Sequence, residues 1–96
     1  MVQQYDIAHI HEQGVDLIIV PLEASFGLMN NAAQAAITAD LQQCATSTGL
    51  RGTVVPVWYD GGGRMAFRAP RPWHAFFEST DLFTIGQNIN GRLTCD

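Results

Sequence analysis

A chain of 96 residues with 47% hydrophobic and only 15% charged side chains is too apolar to stay disordered, and it is long enough for one domain, residues 1–96, with a thin margin of core. The formal charge is −4 and all five cations are arginine (Arg51, Arg64, Arg68, Arg71, Arg92), a balance that argues against nucleic acid and membrane surfaces as partners. So few charges leave apolar surface to be covered by self-association, which makes a homodimer the expected assembly.

In chain order, Met1 to Gln13 carries Ile7 and Ile10 three apart with Gly14 as a C-cap, which reads as a short helix, although the alternation of Tyr5 and Ile7 fits a strand as well. Val15 to Glu23 (VDLIIVPLE) is an unbroken run rich in β-branched residues, the pattern of a central strand covered on both faces; Pro21, lacking a ladder donor, belongs near its end. After a loop from Ala24 to Met29, Asn30 or Asn31 caps the strongest helix. It runs to Thr48 with Ala33, Ile37, Leu41, Cys44 and Ala45 at helical spacing. Gly49 suits a left-handed C-cap, with Leu50 as the apolar residue that follows. Gly52 to Asp60 and Arg64 to Ala69 are strands joined by Gly61-Gly62-Gly63 as a hairpin, and Pro56 implies an edge or a bulge. Pro72 opens a short helix to Glu78, and Thr80 caps a last helix from Asp81 to Leu93 that Gly86 and Gly91 weaken. The expected fold is α+β, a small mixed three-stranded sheet in the order (α)βαββαα with helices packed on it.

Cys44 falls on the inward face of the long helix and Cys95 next to the last residue. With no CxxC or Cys/His spacing, both read as free thiols in a reducing compartment in preference to a disulfide. The longest apolar run, Leu17 to Leu22, is far too short to span a membrane, and no basic region precedes an apolar leader, so the expected location is cytoplasmic.

The segments DLIIVPL, GTVVPVW, GGGRMAF and AP-x-PWH-x-FF, spread over Val15 to Phe77, resemble small uncharacterised bacterial proteins carried on mobile gene cassettes of the integron type. The resemblance implies a bacterial, cytoplasmic protein and lends no catalytic residue to any position.

The side chains with chemistry concentrate in one quarter of the chain: Trp58, Asp60, Arg64, Arg68, Trp73 and His74, around the triglycine. Arginine recognises carboxylate or phosphate with two parallel bonds, and tryptophan stacks on a ring. The plainer account is a hairpin turn, a solvated arginine face and core tryptophans, and it is preferred. The triglycine joins two strands, whereas phosphate-binding glycine motifs join a strand to a helix. His74 is the one acid–base candidate. Glu23, Ser25 and Asn30 follow the carboxyl end of the first strand, where open α/β sheets bind ligands, although EASFG has Glu23 where a nucleophile elbow needs glycine. His9 and His11 would share a face on a strand, but no third ligand stands at a metal-binding spacing, so no metal and no cofactor is expected.

These residues favour a non-enzymatic binding or interaction protein acting as a homo-oligomer. The alternative is a small enzyme or small-anion-binding domain with a site near Glu23–Asn30 and Trp58–His74.

Overall fold

The structure, a computed structural model, describes residues 3–95. They form five strands, β1 (Gln3–Glu12), β2 (Val15–Pro21), β3 (Thr53–Tyr59), β4 (Met65–Phe67) and β5 (Gly91–Cys95), in one sheet of order β4-β3-β2-β1-β5. Three helices accompany them: α1 (Asn31–Ser47), α2 (His74–Glu78) and α3 (Leu82–Gln87). Short 3₁₀ segments at Ala24–Leu28 and Arg71–Trp73 lead into α1 and α2. The α+β class holds, but the sheet has five strands where the sequence predicted three.

Both additional strands lie where helices were expected. The segment before Gly14 is β1, not a short helix. Gln13 (φ 50°) and Gly14 (φ 79°) form a two-residue turn in the left-handed region, which returns the chain as β2 in antiparallel register from Ala8–Ile19 to Glu12–Val15. Gly14 is thus a hairpin glycine rather than a helix cap. At the other end the helix expected over Asp81–Leu93 stops at Gln87. Its N-cap is Asp81, not Thr80, the Asp81 carboxylate accepting the Thr84 amide at 2.8 Å. Beyond it the chain extends as β5 and pairs antiparallel with the first half of β1, from Gln3–Cys95 to Ile7–Gly91.

The central elements follow the sequence closely. β2 and β3 are parallel across α1, and β2 ends on Pro21. Asn30 caps α1 through its side-chain oxygen, 2.8 Å from the Ala33 amide. The helix closes with Leu50 N–H on the Ala45 carbonyl and Gly49 N–H on the Thr46 carbonyl, with Gly49 at φ 83°, a full Schellman motif whose Leu50 packs into the core. Pro56 sits buried inside β3 and still shapes the sheet. The Arg68 amide donates to its carbonyl at 3.0 Å, proline has no N–H to return the second bond, and β4 ends at Phe67.

The centre of the sheet is covered on both faces. Ile7, Ile18, Val20, Val54 and Leu93 face Leu41 and Ala45 of α1, while Ala8, Leu17, Ile19, Val55 and Val57 face Phe77 of α2 and Ile85 of α3. At the β1–β5 end one face is open, where Gln4, Asp6, Arg92 and Thr94 are exposed. Consecutive residues of β2 from Leu17 to Val20 enter opposite cores, the physical reason that run is apolar at every position.

The cysteines are not free. Cys44 on α1 and Cys95 at the end of β5 form a disulfide, with Cα atoms 5.8 Å apart. The partner of Cys44 arrives because β5 is a strand paired along β1, which brings Cys95 over the helix. With the thiols gone, so is the argument for a reducing compartment that rested on them. Among the described residues no helix is long and apolar enough to cross a membrane.

Candidate functional site

Eight of the side chains singled out above, all but Asn30 and the two histidines of β1, fall into separate places. Trp58 is only 8% exposed. Its ring meets Phe26 edge-on with centroids 4.8 Å apart, and the backbone of Gly27 lies so close that an added Cβ would stand 2.5 Å from the indole nitrogen. Trp58 thus pins the loop ahead of α1 to the sheet. Asp60 closes the triglycine turn, its side chain accepting the Gly62 amide at 2.7 Å and the Arg64 amide at 3.3 Å, while the Arg64 side chain is exposed. Trp73 packs against Phe76.

Arg68 and His74 share a hollow of about 650 Å³ between α1 and the chain after β4, with Thr38, Gln42 and Phe67 in its wall. Arg68 Nη1 donates to Asn31 Oδ1 at 2.8 Å. His74 Nε2 stands 2.9 Å from the Ala69 carbonyl; a carbonyl only accepts, so the proton is on Nε2. Both polar heads are engaged by the protein itself.

Glu23 and Ser25 line a different groove, of about 850 Å³, beyond the carboxyl end of β2. Its other wall is the first part of β1, Gln3 to Asp6, and its floor and rim include Leu22, Phe26, Met29, Ile37 and Ile89. No single hollow holds both this set and the Arg68–His74 set. No side chain–side chain hydrogen bond joins any two of the eight residues, so no nucleophile is paired with a base among them.

The groove lies where the β1–β2 ladder stops at Ala8–Ile19; Pro21, which has no N–H to pair with β1, ends β2 there and lines the groove with Gln3 to Asp6. In an antiparallel ladder the main-chain groups of alternate residues point to opposite sides. His9 exchanges both its main-chain bonds with the Asn90 side chain on the β5 side, at 2.8 Å each. The odd-numbered residues of β1 therefore face β5, and Gln4 and Asp6 turn their N–H and C=O toward the β2 side, into the groove. Two other stretches of strand edge are closed by side chains. Besides Asn90 at His9, the Gln42 amide takes the Val54 N–H at 2.8 Å and gives to the Gly52 carbonyl at 3.0 Å, blocking β3 below β4. Among the described residues no side chain bonds the main chain of Gln4 or Asp6.

Two histidines do share a face of β1, but they are occupied separately. His9 Nε2 donates to the Arg51 carbonyl at 2.7 Å, and His11 Nδ1 meets Asp16 Oδ1, also at 2.7 Å. That contact, the largest influence on Asp16, holds its carboxyl below the ordinary value of 3.8. Among the described residues no group of three His, Cys, Asp or Glu side chains is arranged to hold a metal ion.

The groove is the feature that sequence reading missed. Glu23 and Ser25 marked one wall of it, but the other wall is β1, and a segment read as a helix offers no strand edge. No family model matches the chain, and neither the curated proteins nor the solved structures searched include one similar to it.

Proposed function

We propose that this chain is a non-enzymatic binding protein that takes an extended peptide segment into the groove between β1 and the end of β2. One observation carries the reading: Gln4 and Asp6 turn their main-chain groups toward that groove with no side chain of the described residues bonded to them, while the edges at His9 and Val54 are closed by amide side chains. An added strand would bond to this edge, and Leu22, Phe26, Met29, Ile37 and Ile89 would receive its apolar side chains. Leu28 (89% exposed) and Phe83 (73% exposed) extend the apolar surface near the loop before α1 and on α3. A segment of a second copy would fill the groove as well as a foreign chain, and on this reading the protein acts as a homo-oligomer. The likeness of Val15–Phe77 to bacterial cassette proteins adds a source to the proposal and no chemistry.

A phage-displayed library of random nonapeptides selected on the purified protein tests this, with amide exchange read residue by residue. Binders are expected to slow exchange at Gln4 and Asp6. Gln4→Pro, which deletes a groove-facing N–H and spares the bonds from odd-numbered residues to β5, should weaken binding at least tenfold with an unchanged melting temperature. Binders that protect the Arg68–His74 hollow instead would favour a ligand site there.

A further inference from the structure

The first half of β1 and β5 depend on each other. Among the described residues Gln3–Ile7 pairs with β5 and with no other strand, because the ladder to β2 begins only at Ala8, and β5 in turn pairs only with Gln3–Ile7. A two-stranded ladder is marginal in water on its own. What ties this one to the rest of the molecule is the burial of Ile7 and Leu93 against α1, the Asn90–His9 amide pair, and one covalent bond, Cys44–Cys95, at the far end of the ladder from Asn90. In register, Cys95 stands opposite Gln3, so the bridge fastens the end of the ladder that forms the groove wall.

The bridge is also within reach of a reagent. Both cysteines are half-buried and line an open hollow of about 710 Å³ with Gln3, Tyr5, Asp40 and Gln43. We propose that Cys44–Cys95 is a reducible latch, a modification site for small dithiols, and that reducing it frees β5 and the first half of β1 while the β2–β3–α1 core stays folded. The chemistry is thiol–disulfide exchange. A thiolate of the dithiol attacks one sulfur of the bridge, the S–S bond breaks and the other cysteine leaves as thiolate. The second thiol of the reagent then displaces the mixed disulfide. The reagent ends as its own disulfide, having supplied two electrons, and its two protons end on Cys44 and Cys95. Control of peptide binding by this latch rests on the groove reading; the latch itself does not.

Hydrogen exchange by mass spectrometry, on the intact protein with and without dithiothreitol, tests it. The expected result is exchange at least tenfold faster over Gln3–Ile7 and Gly91–Cys95 than over β2 and β3 in the reduced protein, with β2 and β3 still protected. Cys44→Ser should reproduce the reduced pattern and no longer respond to the reagent. Equal exchange in both states, a loss of protection everywhere at once, or two thiols open to alkylation in protein prepared without reductant would each overturn the latch. If the ladder opens on reduction but a groove-binding peptide keeps its affinity, the groove reading fails and the latch stands.

Discussion

The side chain of Asp16 shows how a single contact becomes a dependence on pH. The hydrogen bond from His11 stabilises the carboxylate and lowers its pKa from 3.8. A carboxyl lowered on folding contributes stability that is present above its unfolded value and lost as pH falls through the folded one. The contribution therefore fades below pH 3.8, on the acid side of neutrality and far from it. Carbon-detected NMR titration should place the Asp16 midpoint below that of a free aspartate, and His11→Ala should return it toward the ordinary value. None of this was legible in the sequence. His9 and His11 were noted as a pair, but the partner of His11 comes from the register His11–Asp16, which exists only once the segment is a strand.

At the scale of elements, local signals decided what could be read. α1 announced both its ends, and its cap invites a direct test. Asn30→Ala removes the acceptor for the Ala33 amide and should cost about 1 kcal/mol in chemical denaturation, with the slope of the transition unchanged. The β2 and β3 runs were equally plain, because strands buried on both faces are apolar throughout. β1 and β5 were hidden for the opposite reason. QQYDIAHIHE mixes exposed glutamines, a half-buried and an exposed histidine with a few apolar residues, and Leu93 is the only fully buried residue of GRLTC. Such segments are strands by virtue of their neighbours, and periodicity carries too little of that to be seen. The candidate site inherited the same gap, since one of its walls is β1.

For the whole molecule, the disulfide closes a loop of 51 residues between α1 and the last strand. Restricting the unfolded chain over that length stabilises the fold by about 4 kcal/mol on the chain-entropy account, a large share of the roughly 5–15 kcal/mol typical of a domain. The reduced protein should therefore unfold at clearly lower denaturant concentration than the oxidised one, while its midpoint remains measurable because two separate cores still clasp the sheet.

The amide of Asn90 has a further consequence, in the chemical lifetime of the protein. Asn90 precedes Gly91, the neighbour that least hinders attack of its own nitrogen on an asparagine side chain, with loss of ammonia through a cyclic imide. In the folded chain both ends of that side chain are held by the main chain of His9. The fold thus slows the ageing of its most fragile residue. Once ammonia is lost, a carboxylate at position 90 still accepts from the His9 amide but meets the His9 carbonyl with no proton to offer. The edge of β1 then opens. Peptide mapping of stored protein should find deamidation at Asn90 slow while the chain is folded and rapid after denaturation. Aged molecules should associate through the strand edge that the amide had kept closed.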